Sequence, residues 1–363
     1  MKVTKRSAIL AVNGALLLIV IIWTLPTVGL LISSIRTRND IDHSGWWTVF
    51  PHVAPVQSAT RPIPPGQSVD KPITIDGVTK SFDEWRKGVT MPDGSTLTWQ
   101  GTIRVGNLVT TARQVTANTN FTLDNYQQVV AGQSVQVHNP DGSVSTVAGQ
   151  DMSGALINSL TVTIPATVFP VLIAAFAAYG FAWMTFPGRR ILFILVVAML
   201  VVPLQIALVP VLQEYNGLGL NGTFLGIWLA HTGFGLPLAT YLLYNYISSL
   251  PREVLESAFI DGASHFTMFT RLILPLSVPA LASFAIFQFL WVWNDYLVSL
   301  IFLGGNSQNA VLTMRIVDLV GSRGEDWYLL TAGAFVSMIL PLIVFFSLQR
   351  YFVRGLMAGS VKG

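Results

Sequence analysis

For most of its length the chain does not alternate apolar and polar residues at a strand or helix period. Its apolar residues gather instead into long runs. Ser7 to Ile35 holds no charged residue. Ala155 to Met184 is also charge-free, with Pro165 and Pro170 inside it. Ile191 to Leu212 follows with Pro203 and Pro210, then Gly222 to Ile247 with Pro237, Leu276 to about Leu303, and a last run within Trp327 to Tyr351. A membrane-crossing helix needs roughly 20 predominantly apolar residues, so these six runs predict six spans. Prolines within them would argue against soluble helices, but membrane helices tolerate proline where neighbours re-satisfy the backbone. The first run has a competing reading as a cleaved signal peptide. The apolar region of such a peptide is about 7–15 residues and ends at a small-residue cleavage site. This run is longer and shows no obvious site, so it is read as a retained anchor.

Arg36 to Asp151 differs in character. It is polar and contains Pro/Gly clusters such as Arg61-Pro-Ile-Pro-Pro-Gly66. Lys71 to Gly77, Leu97 to Arg104 and Ser134 to His138 alternate as strands do, and Pro92-Asp-Gly94 and Asn139-Pro-Asp-Gly142 are turn signals. The expectation is a small β-rich domain over about 68–150, reached by a proline-rich linker. Asn120-Phe-Thr122 fits the glycosylation acceptor pattern, which is common by chance.

A polar island, residues 248–275, lies between the fourth and fifth runs. Its charges (Arg252, Glu253, Glu256, Asp261, Arg271) exclude it from lipid. Pro251 suits a helix start, and Ser248 or Ser249 would cap it. Leu255, Ala258, Phe259, Gly262 and Phe266 fall on one helical face. Gly262 weakens the helix, Ser264 can cap a second one, and Pro275 marks entry into the next run. The pattern predicts two short helices at the membrane surface. A helix lying on lipid is the alternative reading. Lipid-bound helices favour Lys and Arg on the polar face, whereas this face is acidic, so a protein partner is favoured.

Composition agrees with the runs. Of 363 residues, 52% are hydrophobic and 11% charged, against about 25% charged in soluble domains. Cysteine is absent, which removes disulfides and thiolate metal sites. The net charge of +3 matters less than its placement. Lys2, Lys5, Arg6, Arg189, Arg190, Arg252, Arg271, Arg350, Arg354 and Lys362 fall on one side of a six-span arrangement. By the positive-inside rule that side is cytoplasmic. Both termini and the polar island are then inside, and the β-rich segment is outside.

No Gly-x-x-x-x-Gly-Lys-Ser/Thr loop is present, so ATP is not bound by that route. No Ser/His/acid arrangement is recognisable, and His43, His52, His138, His231 and His265 show no metal-ligand spacing. Polar residues within spans are costly and mark pathways. Asn158, Gln205, His231, Gln288, Trp291 and Asn294 are the candidates, with Trp293 and Tyr296 nearby. The alternative is that such groups bond between helices, as small polar residues commonly do. Asp295 is placed near the outer interface, open to water.

The residues Glu256-x-Ala258-x-x-x-Gly262, nine further residues, then Leu272-x-Leu274-Pro275 resemble the EAA loop of inner-membrane permease subunits of binding-protein-dependent ABC importers. Ser257 stands where that family often has alanine, and Leu272 where it often has isoleucine. The tail from Gln349 to Gly363 resembles the ending of maltose-type permeases. Trp291-Val-Trp-Asn-Asp-Tyr296 is similar to a segment of sugar permeases, and Phe121 to Tyr126 resembles the short segment before their first core helix. The resemblance covers roughly residues 1–35 and 121–363. The large insertion after the first helix lies outside the usual pattern and resembles that of α-glucoside permeases.

The resemblance implies the type I importer permease fold. It is an all-α polytopic membrane protein of six transmembrane helices, here with a small β-rich external insertion after helix 1. Residues 1–35 would be the cytoplasmic N-terminus and helix 1, 36–151 the periplasmic linker and insertion, and 152–363 the core with helices 2–6. The core would include coupling loop 248–275 and cytoplasmic tail 352–363. The implied function is that of a non-catalytic permease subunit of an ATP-driven carbohydrate importer in the bacterial inner membrane. Its implied partners are a second permease, two ATPase subunits, an external substrate-binding protein and membrane lipid, with no nucleic acid. The chain itself would bind no cofactor, since ATP and magnesium belong to the partner ATPase.

The resemblance assigns ATPase coupling to Leu255, Glu256, Ser257, Ala258, Phe259, Asp261, Gly262, Ala263, Leu274 and Pro275. Leu255, Ala258 and Phe259 would fill a groove on the ATPase, and Glu256 and Asp261 would pair with basic residues at its rim. Gly359, Ser360, Val361, Lys362 and Gly363 would reach between the two ATPase subunits. The loop from Gly304 to Asp326 would face the binding protein, and the insertion would bind either that protein or the partner permease. Some family members bind sugar only in the partner permease. Two other classes stay open. An ion-coupled secondary transporter predicts buried paired charges within the spans, and these spans are nearly free of charge. A membrane-anchored sensor predicts one or two spans and a cytoplasmic output domain.

Overall fold

The computed structural model describes residues 5–132, 135–138, 144–147, 152–305, 308–319 and 326–358. The chain divides into two compact units. One comprises Met1–Ile32 and Asn39–Phe121, the other Ser33–Arg38 and Thr122–Gly363.

The first unit begins with α1 (Lys5–Ser34), which runs on two residues into the second unit. Its apolar side chains from Ile9 to Trp23 are exposed, as expected of a helix that meets lipid or another subunit. Then come α2 (Arg38–His43), a 3-10 turn at Trp46–Val49 and β1 (His52–Pro62). The hairpin β2 (Ile73–Ile75) and β3 (Val78–Lys80), α3 (Phe82–Lys87), β4 (Val89–Thr90), β5 (Thr96–Gly101) and β6 (Gly106–Thr116) complete it. Four strands pair antiparallel in the order β1-β6-β5-β4. Ile73, Trp85, Leu97, Trp99 and Leu108 form its core, and Trp85 Nε1 donates to Ile73 O at 3.0 Å. A capping box starts α3. Ser81 Oγ accepts from Glu84 N–H, and the Glu84 carboxylate accepts from Ser81 N–H.

The expected linker up to residue 67 is therefore corrected. His52–Pro62 is a strand of the sheet, whose residues lie within 52–116 rather than 68–150. The Pro/Gly cluster from Arg61 to Gly66 reads as linker, but β1 is an edge strand and so tolerates Pro55 and Pro62.

The second unit holds α4 (Asp124–Ala131), the hairpin β7 (Val135–His138) and β8 (Val144–Val147), and α5 (Ser153–Trp183). It continues with α6 (Arg189–Ala198), a 3-10 turn at Met199–Val201, α7 (Leu204–Gly217) and α8 (Phe224–Ser248). The last elements are α9 (Arg252–Ile260), α10 (His265–Met268), a π turn at Phe269–Ile273, α11 (Leu274–Trp293), α12 (Leu297–Leu303), α13 (Leu312–Leu319) and α14 (Trp327–Ala358).

Helices α5 and α8 approach through small residues. Ala166, Ala174, Ala175 and Ala178 on one and Ala230, Ala239 and Gly235 on the other are buried, as lipid-embedded packing favours. Upstream of α5, Asn125 Nδ2 donates to Ser34 O and Arg36 O, and Arg38 lies 5.3 Å over the Tyr328 ring.

Among the described residues, four helices are long and apolar enough to cross a membrane: Ala8–Ser34, Ser153–Trp183, His265–Trp293 and Trp327–Tyr351. The run Ile191–Leu212, expected to be one span, is broken. Its halves Arg189–Val201 and Leu204–Gly217 meet at 107°. Pro203 is the cause, because the residue before proline avoids the α region, and Val202 sits extended at φ −72°, ψ 116°. Helix α8 has 25 residues and no charge, yet His231, Thr232, Thr240 and Asn245 make it less apolar than the four.

Candidate functional site

The polar island forms two short helices, as its pattern predicts, and the connection between them is a Schellman turn. Gly262 takes φ +79°. Ala263 N–H donates to Ala258 O, and Gly262 N–H to Phe259 O, both at 3.0 Å. These are the 6→1 and 5→2 bonds of that motif, and Ala258 and Ala263 pack against one apolar cluster, as its hydrophobic contact requires. Ser264 then caps α10, accepting from Thr267 N–H at 3.2 Å. The start of α9 departs from expectation. Pro251 occupies the cap position without a side-chain bond. Ser248 and Ser249 instead donate back to Asn245 O and Tyr246 O, closing α8.

Pro275 stands in the first turn of α11, at the entry to the next run as expected, but no break precedes it. The chain is already helical through the π turn at Phe269–Ile273. Pro275 cannot donate to Arg271 O, and its ring crowds that carbonyl. A widened turn directly upstream accommodates both.

The loop is held by its own chain. Leu255 is 1% exposed and sits in a cluster with Ala178, Tyr179, Leu243, Ile247, Met268 and Phe269. Phe269 stacks on Phe176 at 4.2 Å, and the Tyr179 hydroxyl lies 2.9 Å from His265 Nδ1. The expectation that Leu255 fills a groove on a partner is thereby corrected, because its side chain is an internal anchor. Ala258, Ala263 and Leu274 are half-buried against the same cluster. The outward face carries Ile260 (86% exposed), Phe266 (69%), Val254 and Phe259, flanked by exposed Glu256, Ser257, Asp261 and Pro275. Periodicity missed Ile260 and Val254. Their signal is that they flank Leu255 and Ala258, the part of the stripe that the chain itself covers.

The candidates within the spans are dispersed. Gln205 is exposed on α7. Asn158 Nδ2 donates to Gln308 O and Ala310 O at 2.7 and 3.1 Å. Asn294 Nδ2 donates to Leu290 O one turn back. Gln288 is buried and ties three helices, its Nε2 donating to Ala166 O at 3.0 Å and His231 O at 3.4 Å. His231 thus meets two other candidates, Gln288 through its carbonyl and Trp291 ring edge to ring face at 5.3 Å. Asp295 joins them and is not an open interfacial residue. Its side chain is 8% exposed, with Oδ2 3.9 Å from His231 Nε2. The same carboxylate accepts from Val298 N–H at 3.3 Å and Ser299 N–H at 2.9 Å, which caps α12. His231 is fully buried, and neither ring nitrogen has a hydrogen-bond partner. Gly359, Ser360, Val361, Lys362 and Gly363 lie outside the described residues, as does part of the Gly304–Asp326 loop. Among the described residues no group of His, Asp and Glu has the arrangement of a metal site.

A mostly helical chain with several spanning helices and an exposed two-helix loop between two of them defines a membrane permease component. Residues 156–357 match the binding-protein-dependent transport system inner membrane component, and the chain belongs to that family. It is 50% identical over 353 residues to the osmoprotective compounds uptake permease protein GgtD of Synechocystis sp., covering 97% of this chain and 92% of that one. It is 46% identical over 404 residues to the alpha-glucoside transport system permease protein AglG of Rhizobium meliloti, with both chains covered in full. Among solved structures, a chain of a bacterial ABC transporter importing the acidic polysaccharide alginate superposes with TM-score 0.59 at 16% identity. That match covers 96% of this chain and 98% of that one. The protein is thus a permease subunit of an ABC importer, and neither a secondary transporter nor an anchored sensor fits that family.

Proposed function

We propose that this subunit carries a neutral carbohydrate, an oligosaccharide of the α-glucoside or maltose type, across the inner membrane. Helix α1, α5, the broken pair α6–α7, α8, the helix through α10 and α11, and α14 would be its six spans, with both termini cytoplasmic. It pairs with a second permease. Two ATPase subunits dock below and bind ATP and magnesium, and an external binding protein delivers the sugar. Hydrolysis belongs to the ATPases. Closure of the ATPases draws the α9–α10 loops of the two permeases together and rocks the spans. The C-terminal residues Gly359 to Gly363 reach between the ATPases, and the Gly304–Asp326 loop meets the binding protein.

One observation carries this reading. The α9–α10 loop is fastened to its own spans by Leu255 and Phe269, while Ile260 and Phe266 remain bare beside the acidic Glu256 and Asp261. A loop rigidly joined to the spans on one side and apolar on the other can transmit a push from a docked protein. The substrate class rests on the names of the relatives. Trp291, half-buried beside the His231–Asp295 pair, offers an aromatic face of the kind a sugar ring packs on.

Purification with a tagged ATPase tests the proposal. The ATPase accompanies the wild type and is lost with Gly262→Asp, which strains the φ +79° turn. Failure of any ATPase to accompany the wild type rejects it.

A further inference from the structure

The first unit contains an open surface pocket of about 310 Å³ that none of the functions above uses. It lies where the Trp46–Val49 turn, the start of β1 and residues 116–120 converge. Ser44, Thr48, His52, Thr116, Asn118 and Asn120 line it together with one alanine. No lining residue is Asp, Glu, Lys or Arg.

Local bonds set its frame. His52 pairs with Thr116 in the β1–β6 ladder. Asn118 N–H donates to Thr48 O at 2.8 Å, and its side-chain amide donates to Asp40 Oδ1 at 2.6 Å. Asn120 N–H closes a turn onto Asn118 Oδ1 at 3.2 Å. Ser44 Oγ donates to Asp40 O, and Thr48 Oγ1 to Gly45 O, both at 2.8 Å. His52 Nδ1 is 3.0 Å from Phe50 O, which leaves Nε2 for a ligand. Among the described residues, the Thr116 hydroxyl and the Asn120 side-chain amide make no hydrogen bond within the chain. Trp47 and Phe50 stand exposed in the segment between Ser44 and His52 and are tied edge-on to Trp46 at 6.2 and 6.5 Å.

This chemistry selects a ligand class. A phosphate or carboxylate would need a cation, and a metal ion or ammonium a carboxylate, and the lining offers neither. An apolar ligand would offer the amides and hydroxyls no partner in place of water. A neutral polyol satisfies them, because each hydroxyl both donates and accepts. The volume lies at the small end of the roughly 300–1,000 Å³ of ligand pockets, which suits one or two sugar rings.

We propose that this pocket is a second carbohydrate site, separate from the translocation residues, that takes a neutral mono- or disaccharide on the insertion. It rests on the reading that the importer's substrate is a carbohydrate. The test is saturation-transfer NMR of maltose against the full chain in nanodiscs, with sodium gluconate as the anionic probe. Maltose gives a signal with the wild type, and gluconate gives none. Thr116→Val and Asn120→Ala weaken maltose binding at least tenfold, while Thr90→Ala, exposed on the opposite edge strand of the sheet, leaves it unchanged. Unfolding of the Trp85–Trp99 core, followed by fluorescence, confirms that the variants fold. Absence of a maltose signal with the wild type, or equal signals in folded pocket variants, overturns the site. Maltose-stimulated ATP hydrolysis by the assembled complex is read in parallel. Stimulation without a pocket signal removes this site alone, whereas no stimulation by any neutral saccharide removes the carbohydrate reading beneath it.

Discussion

The sharpest consequence of the loop geometry is that two neighbouring apolar residues should fail in opposite ways. Leu255 is 1% exposed within the chain's own core, and Ile260, five residues on, is 86% exposed. Truncating a buried leucine to alanine costs about 2–5 kcal/mol through lost transfer energy and the cavity left behind. Leu255→Ala should therefore lower the thermal stability of the purified subunit before it changes any partner contact. Ile260 has almost nothing to lose in the isolated subunit. Burying an isoleucine side chain against a partner contributes about 1.5–3 kcal/mol. Docking that covers most of it makes Ile260→Ser weaken ATPase binding by about 2 kcal/mol, or roughly 30-fold at 1.4 kcal/mol per decade. The assay titrates purified ATPase against nanodisc-embedded permease, with the melting temperature of each variant recorded alongside. A melting point lowered by Ile260→Ser, or ATPase affinity lost by Leu255→Ala at unchanged stability, would refute the assignment of inner and outer faces.

Other expectations follow from the spans and from the insertion. A Cβ at Gly235 would come within 2.7 Å of Gln288 Oε1. Gly235→Ala should then break at least one bond from Gln288 to Ala166 O or His231 O, lowering stability by about 1 kcal/mol, and Gln288→Ala in the same background should add less than it does alone. In the insertion, the backbone N–H of Ser81, then Lys80, holds the Glu84 carboxyl down from 4.5 to about 2. A depressed carboxyl pKa contributes stability that is complete above the unfolded value and is lost as pH falls through the folded one. Unfolding of the Trp85 core should thus grow easier between about pH 4.5 and 2, and Glu84→Gln should flatten that part of the profile. A wild-type profile already flat there, followed by tryptophan fluorescence, would reject the capping role.

Much of this architecture was legible because its signals are local. The charge-free runs mark the spanning helices, and a glycine followed by a serine two residues later marks the break between α9 and α10. What stayed hidden depends on partners distant in sequence. An apolar stripe on a helix shows that something covers it, not whether that is the chain's own core or another protein. Leu255 and Phe266 share the stripe but have opposite fates. Asp295 lies within the run from Leu276 to Leu303, toward its outer end, and reads as solvated. The chain turns there, and its carboxylate instead caps α12 beside a buried histidine. Pro203 and Pro210 lie in the same run, yet only Pro203 breaks the helix, while α7 continues through Pro210. Strand β1 escaped notice because an edge strand of alternating half-exposed and exposed residues has no clear hydrophobic face, and its prolines look like linker.

The most direct test of the central claim is the energy source. The subunit, its partner permease, the ATPases and the binding protein would be reconstituted in proteoliposomes with labelled maltose on the binding-protein side. If the α9–α10 loop couples the spans to an ATPase, uptake requires ATP on the ATPase side and persists when ionophores collapse proton and sodium gradients. It is abolished by Ile260→Asp with Phe266→Asp. Uptake that ignores ATP and follows an ion gradient would contradict the account, and would turn attention to the buried His231–Asp295 pair.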